Sequence, residues 1–400
     1  MNRILHRIYD DIIMVDNNFN QIFMNNNGNL RTLLFIMAKV FNQIKLQLIS
    51  LFNSNPNIEG KHLFIVITNN QFRSIKQLSS DNYVFVKTFL DSQKNIPVTD
   101  LYFSPFIHPF SLCRNLVFFI RRKELSWKMI YIGIAYFYYF KEFYRFFKKN
   151  RPLSITITNP THPILRSAVI AGRDLCIPTV YIPHASPSPV YPPIKTDYAL
   201  LEGEDALTYY SFSPYTKKLL VGSPRLDIYQ DIKPVVHDGI NVLIATNLLD
   251  DMDKVREMIL RLRAKIPFNA HLILRPHPNQ ILKSDFIKSI GDIEISNSKT
   301  ESCMEALQRS DILLAGNTTT FFEAIYLPID CYYFNCVKSD YKSDSYNLLS
   351  YSFIKPLDFN SVSFRKSITK DVNRDLQRID YAFVSGFKAV DKINEFYQNL

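Results

Sequence analysis

Short apolar runs separated by turn residues recur through the second half of the sequence, and strands buried on both faces of a parallel sheet are what such runs predict. Ser154-Ile-Thr-Ile-Thr158 reads as the first strand of the series. Asn159-Pro-Thr-His-Pro163 follows as a loop, Ile164 to Leu175 has helical character, and Thr179-Val-Tyr-Ile182 is the next strand. A strand, helix, strand unit of about thirty residues is the parallel crossover. Thr196 to Glu204 reads as a further strand ending in acids. The strand-like stretches Ile240–Thr246, His271–Arg275 and Ile312–Ala315 continue the series, with a helix expected from near Asp250. Upstream, His62–Thr68 and Tyr83–Thr88 have strand character, whereas 96–115 reads as a loop. Residues 1–60 read as a helical lead-in with Asp10 and Asp11 at the surface, an Asn-rich patch at Asn17–Asn29 and a periodic segment at Leu33–Leu51. Regularity weakens after 335 until Val390–Leu400, which reads as a helix packing back on a domain.

At 400 residues the chain has room for two domains, and its 47% hydrophobic content fills real cores while 21% charged content excludes a disordered polymer. The start, Met1 to Asp10, has no apolar leader run and no eighteen-residue apolar stretch occurs, so a cytoplasmic protein is expected. Five cysteines (113, 176, 303, 331, 336) show no ligand-like spacing and suggest reduced thiols.

The formal charge of +10 calls for an anionic partner, and its placement narrows the choice. Between Arg121 and Lys149 there are eight Lys/Arg against Glu124 and Glu142, interleaved with Trp127, Tyr131 and nine aromatic residues from Tyr136 to Phe147. Cations and aromatics mixed on one helix suit an anionic membrane surface, so a peripheral position on the inner membrane is one expectation. An ordinary core helix with solvated ends is the other. Nucleic acid is not expected, because no nucleic-acid motif accompanies the segment.

Chemistry concentrates at two strand ends. His271-Leu-Ile-Leu-Arg-Pro-His-Pro278 delivers Arg275, His277 and Pro278, and Asp311 to Glu323 passes from a strand through Gly316-Asn317 into a helix begun by Thr318, Thr319 and Thr320. Ligands bind parallel sheets just outside the carboxyl ends of the strands, so both clusters fall on one edge. Arg275, His277, Asn317 and the threonine hydroxyls at a helix start suit phosphate, and the Glu323 carboxylate suits ribose hydroxyls. A helix cap at Asn317 or Thr318 and a surface ion pair for Arg275 would account for the same residues without a ligand. Asp251-Met-Asp253 has the letters of a metal motif but is read as a helix start, so no metal and no cofactor are expected.

The His-Pro pair after one strand and the Ser/Thr-rich helix start after the next "Ser-Asp-Ile-Leu-Leu" strand resemble bacterial surface-polysaccharide transferases of the GT-B fold. Sialyltransferases using CMP-linked donors, Kdo transferases and CDP-glycerol or CDP-ribitol phosphotransferases share this half. The resemblance covers about residues 154–335. It implies an α/β chain with two Rossmann-like domains facing across a cleft, and both motifs binding a cytidine nucleotide. Val221-Gly-Ser-Pro-Arg-Leu-Asp227 is similar to the hinge of such proteins. The expected organisation is an acceptor domain at 1–220 carrying the basic aromatic segment 116–150, a donor domain at 221–380, and a C-terminal helix at 381–400.

An inverting sugar transfer needs a base for the acceptor hydroxyl and donors for the departing phosphate. His184, at the end of a buried strand, is the leading base, and the resemblance to CDP-glycerol-type enzymes implies the same role. Glu202 and Glu204 come second, since Leu201-Glu202-Gly203 partly matches the acidic-acidic-Gly string of sialyltransferases. His162 is a candidate for orienting the acceptor. The expected activity is transfer of a sugar, foremost a CMP-activated nonulosonate of the sialic acid or Kdo type, to a surface polysaccharide or lipid-linked oligosaccharide. A CDP-polyol phosphotransferase, a UDP-sugar enzyme, a sugar epimerase and a non-catalytic membrane- or polymer-binding subunit are the alternatives.

Overall fold

The computed structural model describes residues 4–11, 52–89, 92–103, 109–121, 127–184, 191–229, 232–267, 269–341, 343–344, 346–360, 362 and 388–400. The Asn-rich patch, the periodic segment at 33–51, residues 106–108, Arg122, Lys123, and Ala185-Ser186 lie outside the described residues. The chain forms two compact units, Met1–Arg225 with Gly386–Leu400, and Leu226–Ser385.

The first unit holds a seven-stranded sheet, every neighbour parallel, in the order β3-β2-β1-β4-β5-β6-β7. The strands are β1 (His62–Ile65), β2 (Tyr83–Thr88), β3 (Thr99–Leu101), β4 (Ser154–Ile157), β5 (Thr179–Tyr181), β6 (Tyr198–Leu201) and β7 (Lys217–Leu220). The stretch 96–115 is not simply a loop, for it contains β3 and the start of the helix Pro109–Ile120. A three-residue edge strand is too short to show alternation, which is why the sequence hides it.

Helix Pro163–Asp174 begins with His162 as N-cap and Pro163 in the first turn, where a missing N–H costs nothing. Gly172 lets this helix approach the sheet, since a Cβ there would lie 2.5 Å from Ile155 Cδ1. Across the helix lies Trp127–Lys149, whose Tyr136, Tyr139, Phe140, Phe143 and Phe147 are buried in the core of the unit. The core-helix expectation therefore describes these aromatics, and Arg121, Arg145, Lys148 and Lys149 remain exposed without them. The opposite sheet face is covered by the C-terminal helix Ala389–Gln398, with Ile393 and Tyr397 packed among Phe64, Val180 and Leu200. Tyr397 shares a hydrogen bond with Thr156 (2.5 Å).

Asp11 is not at the surface. It ends the helical residues 4–11 at 1% exposure, accepts hydrogen bonds from Arg166 and from Tyr136 Oη (2.6 Å), and pairs with Lys195 Nζ at 2.8 Å. Asp10, its neighbour, is exposed as expected. Burial alone would raise the Asp11 pKa, but the Arg166 guanidinium and the Lys195 ammonium outweigh it and hold the carboxyl far below the usual range.

The second unit has six parallel strands in the order β10-β9-β8-β11-β12-β13. They are β8 (Ile240–Ala245), β9 (Ala270–Arg275), β10 (Glu294–Ile295), β11 (Ile312–Ala315), β12 (Asp330–Tyr333) and β13 (Ile354–Pro356). Helix Met252–Arg263 follows β8, capped by Asp251, whose carboxylate accepts the Asp253 N–H at 3.0 Å, as the reading of that Asp pair as a helix start expects. Arg261 and Arg263 close its last turn, where cations suit the helix dipole.

Candidate functional site

In the second unit the strand order reverses at β8, which has β9 on one side and β11 on the other. A crevice outside the carboxyl ends of the strands is the consequence of such a reversal. The two motif-bearing ends are not neighbours. β8 lies between them, so they stand roughly 10 Å apart at ordinary strand spacing. Its own end, Thr246-Asn247, joins them, and sequence reasoning assigned no role to either residue. The signal was present, because Ile240–Ala245 reads as a buried strand whose end belongs on the same edge.

The end of β9 is shaped by Gln280, which accepts from Thr246 Oγ1 (2.7 Å) and from the His277 N–H (3.3 Å). His277 Nδ1 accepts the Asn279 N–H at 3.1 Å, so its proton sits on Nε2 and makes that nitrogen a donor. Burial of the half-buried ring lowers its pKa below the usual histidine value, favouring this neutral form. Pro278 is exposed. Arg275 is buried and committed inward: it donates to Ser296 Oγ (2.5 Å) and the Glu301 carbonyl (2.9 Å), and lies 3.8 Å from the Glu301 carboxylate. Its guanidinium braces β9 against β10 and thereby carries the Pro276–Pro278 turn.

The end of β11 is a tight turn. The Thr318 N–H donates to the Gly316 carbonyl (2.8 Å), and Thr318 Oγ1 accepts the Thr320 N–H (3.3 Å) and lies 3.0 Å from Thr320 Oγ1. Thr319 is the N-cap of a helix that runs only from Thr320 to Ala324, so the dipole contribution is smaller than a full helix would give. Thr318, Thr319 and Thr320 are all half-buried. Asn317 is buried, and accepts from Asn247 Nδ2 (2.6 Å) at its carbonyl and from Tyr333 Oη (3.2 Å) at its side chain. Glu323 is half-buried beside the Cys303 thiol, which burial and this carboxylate push well above its usual pKa.

In the first unit the carboxyl edge gathers the catalytic candidates. His184 follows β5, and its Nδ1 donates to the Thr158 carbonyl at 2.5 Å, which leaves Nε2 as a lone pair. Burial holds its pKa down to about 4; the Thr158 carbonyl opposes that shift and the Arg225 guanidinium adds to it. Glu202 follows β6 and is buried, with no hydrogen-bond partner for Oε2. Its pKa is pushed up to about 8 by burial, against its own backbone N–H and Arg225. At neutral pH His184 is therefore an unprotonated imidazole and Glu202 a protonated acid. Glu204 is exposed in the first turn of the helix Glu204–Tyr209. His162 Nδ1 accepts the Ile164 N–H at 3.4 Å as a helix cap, in a loop tightened by Asn159 Oδ1, which accepts from Thr161 Oγ1 and the Thr161 N–H at 2.7 Å each.

Two doubly wound parallel sheets, each with its own core, define an α/β fold of the GT-B type. The structure is similar to MurG from Acinetobacter baumannii at a TM-score of 0.51 and 10% identity, over 85% of this chain and 100% of that one. It is also similar to UDP-GlcNAc 2-epimerase from Methanocaldococcus jannaschii (TM-score 0.48, 10% identity, 85% and 100% covered). The lipopolysaccharide outer core galactosyltransferase WaaB gives a TM-score of 0.47 at 12% identity, again over 85% and 100% of the two chains. At such identities the likeness is one of fold. No protein-family profile and no curated protein sequence matches the chain.

Proposed function

We propose that the chain is a glycosyltransferase whose second unit holds the nucleotide of a sugar donor and whose first unit acts on the acceptor. One observation carries the reading: His277, Thr246-Asn247 and Gly316–Thr320 occupy successive strand ends on one edge, where the strand order of their sheet reverses. Neutral donors fixed in place before reaction suit a leaving phosphate, because they need no reorganisation as its charge develops. In this scheme His277 Nε2–H and the threonine hydroxyls donate to phosphate oxygens, and Glu323 accepts from the ribose. Arg275 acts through the turn it braces.

His184 Nε2 takes the acceptor proton as the acceptor oxygen bonds to the anomeric carbon. The sugar–phosphate bond breaks, and its electron pair leaves with the nucleotide. Glu202 already carries a proton at neutral pH and is not the base. His162, engaged as a cap, shapes the loop beside β4. The His-Pro and threonine motifs favour a cytidine donor, foremost a CMP-activated nonulosonate, with a surface polysaccharide or lipid-linked oligosaccharide as acceptor. Nucleotide release from CMP-, CDP- and UDP-linked donors tests the reading. Release of CMP that is lost in His184→Ala, with nucleotide affinity retained, is expected. Release of UDP alone would reassign the donor, and nucleotide binding without release from any donor would favour a binding subunit.

A further inference from the structure

Asp250 is 1% exposed, yet its Oδ1 has no hydrogen-bond partner. Native proteins rarely leave a buried carboxylate oxygen so, and an exception calls for a reason. Its surroundings supply one. Oδ2 accepts the Asn247 N–H at 2.8 Å, and the Asp250 N–H returns to the Asn247 carbonyl at 3.2 Å. Asn247 is thereby held with both ends of its amide in use: Oδ1 accepts the Leu249 N–H (2.7 Å) and Nδ2 donates to the Asn317 carbonyl (2.6 Å). The carboxylate also lies under the turn that Asn247 grips, for a Cβ on Gly316 would stand 3.2 Å from Asp250 Oδ1. One side chain thus bonds the end of β8 directly and reaches the end of β11 through Asn247, with Gly316 leaving room for its carboxylate beside that turn.

We propose that Asp250 is a positioning residue of the crevice, its carboxylate setting Asn247 and, through it, the Gly316-Asn317-Thr318 turn. The proposal rests on the nucleotide-binding reading of that edge and adds a control to it. Oδ1 carries negative charge against the turn without a compensating donor, so losing that charge alters the fit of both strand ends. Burial pushes the Asp250 carboxyl up to about 6, against the Asn247 N–H and Lys338. Tyr333 on β12 and the Cys336 thiol also face its charge, and Cys336 in turn faces Asp251, Lys254 and Glu257 at the start of the helix after β8. Lys338 is itself tied to the loop, its Nζ donating to the Leu248 carbonyl at 2.9 Å. Asp250 is ionised above about pH 6 and neutral below it, within the range where a nucleotide site works.

The test uses the full chain, Asp250→Asn, Asp250→Ala and Asn247→Ala, with hydrogen exchange of residues 245–250 and 315–320 followed from pH 5 to 8. Calorimetric titration with CMP and CDP accompanies it. Asp250→Ala and Asn247→Ala are expected to raise exchange in both segments and to weaken nucleotide binding about tenfold, the usual size for losing a charge-assisted hydrogen bond. Their combination should be no worse than either alone. Asp250→Asn keeps an acceptor and is expected to fall within a few-fold of wild type, matching it near pH 5 and trailing it near pH 8. Comparing the two at each pH cancels titration of His277 and of the phosphate. Unchanged exchange at 315–320 in Asp250→Ala overturns the inference, as does a wild-type to Asp250→Asn ratio that is flat with pH. Should neither nucleotide bind, coupled exchange would still uphold the positioning role, and the nucleotide reading alone would fall.

Discussion

His277 has a single nitrogen to give because the Asn279 N–H takes the other. His277→Ala is therefore expected to weaken nucleotide binding about tenfold while leaving the melting temperature nearly unchanged, since the ring is only half-buried at a strand end. Glu202 makes an opposite kind of prediction. Its folded pKa of about 8 lies above the unfolded value of 4.5, so the folded chain binds the extra proton between those limits. Stability should fall as pH rises from about 4.5 through 8, and Glu202→Gln should remove that slope in denaturant melts at successive pH values. His184 works in the other sense: depressed from 6.5 to about 4, it costs stability as pH falls through that interval. The two slopes oppose each other between about pH 4.5 and 6.5, so each is read as the difference between wild type and Glu202→Gln or His184→Ala. A difference flat with pH would contradict the burial assigned to that side chain.

The sheets were legible where strands are buried on both faces, because Val242, Leu272 and Leu313 sit in apolar runs bounded by turn residues, as a covered parallel sheet requires. β7 was not legible, since Lys217-Lys218 on an edge strand reads as surface. The role of Asp11 was out of reach for another reason. Its partner Arg166 is 155 positions away, and no local spacing reports such a pair. That pair fastens the helical residues 4–11 to the helix Pro163–Asp174, and Arg166 Nη1 also donates to the Pro160 carbonyl (2.5 Å) in the loop beside β4. Asp11→Ala would strand the guanidinium in the core, and a loss of about 3–5 kcal/mol in denaturant melts is expected. Replacing both partners by apolar residues of similar volume should recover most of it. A single variant as stable as wild type would mean that the ion pair is not buried. The candidate site was half legible in the same way. The His-Pro and threonine strings announce themselves, whereas Thr246, Asn247 and Asp250 gain meaning only once β8 is seen between them.

Each unit builds its own core, and the chain returns to the first unit at its end, where Tyr397 and Ile393 fill the sheet face. Among the described residues no helix is long and apolar enough to cross a membrane. With the aromatics from Tyr136 to Phe147 packed into or against the core, any hold of this part of the helix on an anionic surface rests on exposed cations such as Arg145, Lys148 and Lys149. Co-sedimentation with anionic vesicles should then vanish as salt rises, and binding that survives high salt would require an apolar anchor. Calorimetric titration of CMP, CDP and UDP into wild type and His277→Ala bears most directly on the proposed function. Saturable one-site binding of a cytidine nucleotide, weakened about tenfold in the variant, is the predicted result. Equal binding by both proteins, or none by wild type, would contradict it.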